Sequence, residues 1–338
     1  MVKIFVTGAT GYIGGDALHT MAKAHPDYKF SCLVRSAEKG AIVTKEVPSA
    51  RLVYGDLDDF DLLADEAFNA DIVCHWASCE HLASAQAIAA GLSRKSAAKQ
   101  GFWIHLSGSD IICFPDVDAE DYGVQKDKMF DDWDGLGEIL SVKETAAHRD
   151  VDLTVLGVDP LKAKTAIVCP PTIYGPGRGP GNKRSIQVPE LAAYTMKRGA
   201  GLTVQGGRNI WSTVHVQDLS NLFLKLVEEA VKCGGVAHWG DKGFYFVENG
   251  ELVWGDIAQR IAEEAYKQGF VKTTELQSLS AGEADEVWPY ASFFWGTNSR
   301  CKAIRARNVL NWTPQQQPVY ETIATVVAQE AKALGIAK

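Results

Sequence analysis

Apolar residues follow two rhythms through the first half of this chain. Short consecutive runs recur at 3–8 (KIFVTG), 29–34 (KFSCLV), 51–55 (RLVYG), 71–77 (DIVCHWA), 101–107 (GFWIHLS) and 164–170 (KTAIVCP). The first two have no polar alternation, which predicts strands covered on both faces. Between the runs the spacing shifts toward the helical period and predicts helices at 12–24, 59–68, 82–99 and 138–157. Alternation of this kind implies a parallel sheet with helices on both sides. Right-handed crossovers then make a doubly wound α/β fold the simplest topology.

The regularity ends after Pro171. A loop of glycines and prolines, YGPGRGPGN (174–182), leads to a helix near 187–198 and strand-like TVQG and STVHV. A helix is expected over 218–232 with Asp218 as its N-cap, then a strand at 244–247 and a helix at 254–267. Tyr320, Ile323, Val327 and Leu334 mark one face of a terminal amphipathic helix. The expected division is a Rossmann-type unit over 1–171 and a smaller, partly interwoven α/β lobe over 172–338, with some segments returning to the first.

Composition narrows the classes. Hydrophobic residues are 46% and charged residues 22% of 338, which excludes a disordered or fibrous chain. The net charge of −8 disfavours nucleic acid and anionic membranes as partners. It is also localised: ten acids and two lysines lie between Asp110 and Glu138, so the remainder is neutral. The seven cysteines are odd in number and include no Cys-x-x-Cys, fitting a reducing compartment without a disulfide framework. No basic-then-apolar leader and no 18-residue apolar stretch is present, so the expected location is cytoplasmic.

The strongest chemical signal is KIFVTGATGYIGG. Gly8, Gly11 and Gly14 follow the first strand and open the first helix. Such glycines permit the tight turn, the approach of backbone to a pyrophosphate and close helix–strand packing. The free N–H groups and positive end of the helix then face the phosphates.

Thr-Gly-x-x-Gly-x-x-Gly, running from Thr7 through Gly8, Thr10, Gly11, Tyr12 and Ile13 to Gly14, resembles the extended, epimerase/dehydratase-like branch of the short-chain dehydrogenase/reductase superfamily. Tyr54-Gly55-Asp56-Leu57 is similar to that family's adenine-binding motif, and His75-Trp76-Ala77-Ser78 to its turn over the adenosine ribose and pyrophosphate. Leu106-Ser107-Gly108-Ser109 resembles the serine-rich end of the fifth strand. Cys169-Pro170-Pro171-Thr172-Ile173-Tyr174-Gly175-Pro176-Gly177 resembles the segment that holds the nicotinamide carboxamide, with Cys169 in place of an arginine. Val214-His215-Val216-Gln217-Asp218 and Leu310-Asn311-Trp312-Thr313-Pro314 match two later motifs. The likeness spans nearly the whole chain and implies Asp56, Leu57, Trp76, Ala77, Ser78, Pro170, Thr172 and Ile173 as cofactor contacts. The second strand ends in Arg35 with Lys39 nearby and no acid. An acid there would take a free ribose 2′-OH, whereas Arg suits a 2′-phosphate. NADP(H) is therefore expected, with NAD(H) as the lesser possibility.

The family's catalytic pattern is a Ser with Tyr-x-x-x-Lys, and here it breaks. Ser109, or Ser107, supplies a hydroxyl. Tyr122-Gly123-Val124-Gln125-Lys126 matches the spacing, but DAEDYGVQKDKMFDDWDG reads as an acidic loop. The alternative is His148 with Asp152 one turn on, where a proton donor can operate near neutrality. His75, Cys79 and His81 fit no ordinary zinc spacing, so no metal is expected. Arg178, Lys183 and Arg184 are candidates for an anionic substrate group, Trp288, Tyr290, Phe293, Phe294 and Trp295 for an apolar pocket or lobe core, and the 110–138 segment for a lid or a solvated insertion. The expected function is an NADP(H)-dependent reductase or dehydrogenase of a small carbonyl, alcohol or imine. A nucleotide-sugar epimerase/dehydratase and a non-catalytic NADP(H) sensor are the alternatives. The resemblance also implies a homodimer through the helices near 82–99 and 138–157.

Overall fold

The computed structural model describes residues 1–337. Seven parallel strands make the central sheet: β1 (Lys3–Thr7), β2 (Lys29–Val34), β3 (Arg51–Tyr54), β4 (Ile72–His75), β5 (Gly101–Leu106), β6 (Ala163–Cys169) and β7 (Phe244–Phe246). Their order is β7-β6-β5-β4-β1-β2-β3. The order in which strands are added reverses between β1 and β4, and a doubly wound sheet opens its ligand crevice at that point. Every residue of β4 and β5 is buried, including His75 and His105 beside the apolar majority, as strands covered on both faces require.

Helices α1 (Tyr12–Ala24), α2 (Ala37–Glu46), α3 (Phe60–Asn69) and α4 (Leu82–Ser93) flank these strands. The sequence pattern missed α2 because AEKGAIVTKE buries only Gly40 and Val43 and so carries no apolar stripe. Its start is set by Ser36, whose hydroxyl accepts from the Lys39 N–H. The helix expected over 82–99 stops at Ser93, because the Lys95 ammonium turns inward onto the carbonyls of Phe68 (2.8 Å) and Ala70 (2.7 Å). The helix expected over 138–157 is two pieces, Leu136–Leu140 and Arg149–Leu156. His148 adopts a left-handed backbone (φ 63°), which no continuous helix accepts.

A second buried cluster gathers Leu191, Trp254, Ile257, Ile261, Trp295 and Val327 from helices Gln187–Arg198, Trp254–Lys267, Ala291–Gly296 and Ile323–Ala333. Trp288 stacks on Trp295 (4.8 Å), while Tyr290 is exposed. Three later segments join the first core: β7, the 301–312 stretch, and helix Val216–Val231, whose Phe223 meets Trp76 at 4.8 Å. That helix starts two residues before Asp218, capped instead by the His215 imidazole on the Gln217 N–H. The Asp218 carboxylate accepts from the N–H groups of Gln315 (2.8 Å) and Gln316 (3.1 Å). Tyr320 lies in a short 3-10 turn before the terminal helix. Among the described residues no helix is long and apolar enough to cross a membrane.

The acidic 110–138 segment is neither a free lid nor a solvated insertion. Asp116 accepts from the Asn298 backbone (2.6 Å) and side chain (2.7 Å), and Phe130–Asp131 pairs in parallel with Cys301–Lys302. The fully buried Asp132 accepts from the N–H groups of Phe246, Ile304 and Arg305 at 2.8–2.9 Å. Asp116 thus ties the segment toward the second lobe, and Asp132 ties it to β7 and the 304–305 backbone, which belong to the first core.

Candidate active site

The turn after β1 fixes the first part of the site. Gly8 has φ +79°, and a Cβ there would lie 2.6 Å from the Trp76 carbonyl oxygen. A Cβ on Gly14 would meet the Gly8 oxygen at 2.5 Å, so α1 can approach only as glycine. No acid lies in the first turn of α1, and its N-cap Gly11 makes no side-chain cap bond. The first-turn N–H groups are therefore open to an anion. A cleft of about 480 Å³ starts here, lined by Gly8, Thr10, Gly11, Arg35, Lys39, Asp56, Leu57, Ala77 and the unanticipated His81. Arg35 and Lys39 are exposed and, among the described residues, neither is bridged to an acid.

Other anticipated contacts serve differently. Trp76 turns its ring into the core and offers only backbone to the cleft. Tyr12 donates its hydroxyl to the Gly175 carbonyl (2.6 Å), and Ile13 packs on the core. Both tie the first turn of α1 to neighbouring elements. The Gly/Pro loop lies against this turn so closely that a Cβ on Gly181 would sit 2.1 Å from the Thr10 oxygen. Arg178 is not free for an anionic substrate: it makes a paired bridge to the fully buried Asp16. Arg184 is held by Glu190 and Glu330. Sequence pattern had marked Asp16 only as a helix residue. At the other end, Pro170 accepts from the Ser109 N–H (3.0 Å), and the buried Thr172 hydroxyl has no partner. The glycine cradle, the open helix end and this orphaned hydroxyl fit a dinucleotide laid across the strand ends.

The catalytic candidates separate. Tyr122 and Lys126 lie in an irregular segment, not on a helix. Tyr122 packs against Gly296 in the second lobe, and Lys126 pairs with Asp121. Burial first, then Asp285, Glu120 and Asp116, push the Tyr122 phenol above its ordinary value, opposite to what a lysine partner produces. Ser109 is fully buried and its hydroxyl meets the Ser299 hydroxyl at 2.6 Å. His148 is brought to the strand ends. Its Nε2 would lie 2.9 Å from a Cβ on Gly108, between Ser107 and Ser109, and bonds Asp110 at 2.6 Å. Its Nδ1 contacts Glu80, and Cys79, Glu80 and His148 present polar atoms within 4.8 Å of one another. Burial disfavours the imidazolium, but Asp110, Cys79 and Glu80 outweigh it and hold His148 well above the usual histidine range.

Asp152 does not bond His148, as the i,i+4 spacing suggested. It turns under the sheet end, where its Oδ2 accepts from the Ser107 hydroxyl (3.0 Å) and its Oδ1 stands 3.8 Å from His105 Nε2. His75 is no ligand either. It bonds Thr7 (2.8 Å) and Ser84 (3.2 Å) and, buried, is lowered to about 4.

Fold and turn together define a dinucleotide-binding α/β protein of the extended short-chain dehydrogenase/reductase type. The NAD dependent epimerase/dehydratase family matches residues 4–96. An oxidase from an Acremonium species, ucsJ, is 41% identical over 344 residues, covering 99% of each chain. The UDP-glucose 4-epimerase of Thermotoga maritima, solved with UDP-glucose, superposes with a TM-score of 0.65 at 13% identity, over 98% of this chain and 100% of that one. A double mutant of the Streptomyces venezuelae dTDP-glucose 4,6-dehydratase DesIV, solved with NAD and DAU, gives 0.67 at 17% identity, over 99% and 98%. The chain belongs to the NAD dependent epimerase/dehydratase family and is an oxidoreductase of the short-chain dehydrogenase/reductase type.

Proposed function

We propose that this protein is an NADP(H)-dependent reductase or dehydrogenase acting on a small carbonyl, alcohol or imine, with His148 in the place of the family's tyrosine. The observation that carries the reading is the His148 imidazole, seated over Gly108 at the end of β5 and clamped by Asp110. The reduced nicotinamide supplies hydride when bound, and Pro170, Thr172 and Ile173 would hold its carboxamide end. Asp110 fixes Nε2, so the Nδ1–H is the group left for a substrate oxygen once the exposed Glu80 side chain turns to solvent. A charged donor there stabilises the oxygen as it gains negative charge. Arg35 and Lys39, flanking the start of α2, support the 2′-phosphate form of the cofactor. The name of the Acremonium relative records an oxidation, so both directions are to be assayed.

Turnover on aldehyde, ketone, imine and alcohol panels tests the reading. His148→Gln should cut kcat by about 10²–10³, the usual loss on removing one oxyanion donor, with NADPH affinity kept, and Tyr122→Phe should not. Loss through Tyr122→Phe with an unaffected His148→Gln variant would reverse the assignment. Affinity for a uridine or thymidine diphosphate sugar with tightly retained NAD would favour the epimerase/dehydratase alternative. Cofactor binding without turnover on any panel would leave a sensor.

A further inference from the structure

Behind the cleft floor lies a group of buried polar atoms that the oxidoreductase reading does not use. Both ring nitrogens of His105, the Trp103 indole nitrogen and Asp152 Oδ1 are buried without a hydrogen-bond partner among the described residues. His105 is fully buried and Asp152 is 1% exposed. Burial, with His75 and His148 adding to it, drives His105 well below the usual histidine range, so its ring is neutral. An ionised Asp152 would then be a buried charge with one hydrogen bond and no bonded cation, which is costly. A neutral carboxylic acid is different. Its O–H can donate from Oδ2 to the Ser107 hydroxyl oxygen, 3.0 Å away, leaving the Ser107 hydrogen free to point elsewhere, while Oδ1, 3.8 Å from His105, accepts the Nε2–H of the neutral ring after a small closure and so satisfies two orphaned atoms.

We propose that Asp152 is held as a neutral carboxylic acid and supplies, through the Ser107 hydroxyl, the proton that completes reduction in the neighbouring cleft. The proposal rests on the oxidoreductase reading for its last step only. As hydride reaches the carbonyl carbon, the C=O π pair moves onto oxygen. That oxygen takes the Ser107 hydroxyl proton, Ser107 takes the proton of Asp152, and Asp152 ends as carboxylate. The reverse order serves oxidation. His148 stays charged throughout and stabilises the oxygen, since a donor whose pKa lies far above the working pH releases its proton poorly. Asp152 acts through Ser107 and is therefore a positioning residue that also stores the proton. The groups facing it are His148 and Arg149 on its own helix, His105 and Ser107 from β5, Asp110 beyond β5, and Cys169 from β6. Burial raises Asp152 to about 7, against the opposing pull of His148, Ser107 and Arg149.

Infrared pH titration of the whole protein without substrate tests the first half. The expected result is a protonated-carboxyl band that fades as pH rises through about 7 and is missing in Asp152→Asn. Ser107→Ala should move its midpoint upward, because it removes a hydrogen bond that favours the carboxylate. Absence of the band, or a midpoint in the ordinary carboxylate range, overturns the proposal. Thermal stability gives a second readout. The folded-state value lies above the unfolded one, so Asp152's contribution is present at low pH and lost as pH rises through about 7. Asp152→Asn should flatten that slope, and an unchanged slope counts against the assignment. In turnover, the limb of the reductive kcat profile falling through about 7 should vanish in Asp152→Asn, and a retained limb would refute the relay. A protein with no turnover on any panel would fail the functional reading, while the infrared band would still decide the protonation state of Asp152.

Discussion

Removing Arg35 should strip the enzyme of its choice between NADPH and NADH. Arg35 follows β2 at the rim of the cleft, and Lys39 stands in the first turn of α2 beside it. A 2′-phosphate placed there would also face the positive end of α2. A charge-assisted hydrogen bond contributes about 1.5–3 kcal/mol, and exposure of Arg35 places it at the low end. The helix end adds about 0.3–1 kcal/mol and the exposed Lys39 about 0.5 kcal/mol. Since about 1.4 kcal/mol is tenfold, wild type should prefer NADPH by at least about tenfold, and Arg35→Ala should remove most of that. NADH affinity should stay level, because its free 2′-OH carries no charge for Arg35 to meet. Raising salt from about 0.1 M to 1 M shortens the screening length from roughly 10 Å to 3 Å, so the preference should shrink in wild type and hardly change in the variant. Calorimetric titration with both cofactors measures all of this. Equal affinities or tighter NADH in wild type, or an Arg35→Ala that weakens both cofactors alike, would refute the argument.

Asp132→Ala leaves three buried N–H groups without their acceptor. At about 1–3 kcal/mol each, denaturant unfolding should show a loss of at least about 3 kcal/mol, and a loss below about 1 kcal/mol would contradict the role of Asp132 in fixing these segments to the first core. A homodimer should form through α4 and Arg149–Leu156, which pack side by side with Leu153 exposed between turns. Light scattering should give about twice 36.7 kDa for wild type and one copy for Leu153→Glu, and a monomeric wild type at micromolar concentration would exclude this assembly.

Much of the sheet was legible because β1, β2, β4, β5 and β6 are short runs dominated by consecutive apolar residues, a signal that survives without tertiary context. The glycine turn was legible for a related reason: Gly8 and Gly14 answer to local sterics, and no other side chain fits. What could not be read depends on long-range partners. Arg178 looked like a free loop cation until Asp16, 162 positions earlier, met it across the lobe boundary. The His148/Asp152 pair was visible as spacing, but its partners Asp110, Ser107 and His105 lie on another element. Spacing implied that the two bond each other, whereas the left-handed turn at His148 sends the two side chains apart. The acidic composition of 110–138 likewise suggested solvent, since sequence cannot show that Asp116 and Asp132 cap backbone groups far along the chain.

The Asp116 tie bears on how the second lobe can address the chemistry. Ser109 meets Ser299 hydroxyl to hydroxyl, and Ser299 also donates to the Ser109 carbonyl (2.8 Å). Asn298, next to Ser299, holds Asp116 while its side-chain oxygen accepts from Ile210, so one short stretch of the second lobe grips both the end of β5 and the strand Ile210–His215. Gly108 lies between Ser109 and Ser107, directly under the His148 ring. The 298–299 stretch therefore bears on the backbone beneath His148 without direct contact to the imidazole. In the family pattern, tyrosine and lysine share a helix and position each other. Here Asp110 holds His148, and Ser299 holds the turn at Ser109 beneath it, which links the second lobe to the end of β5 through backbone rather than through a Tyr–Lys pair.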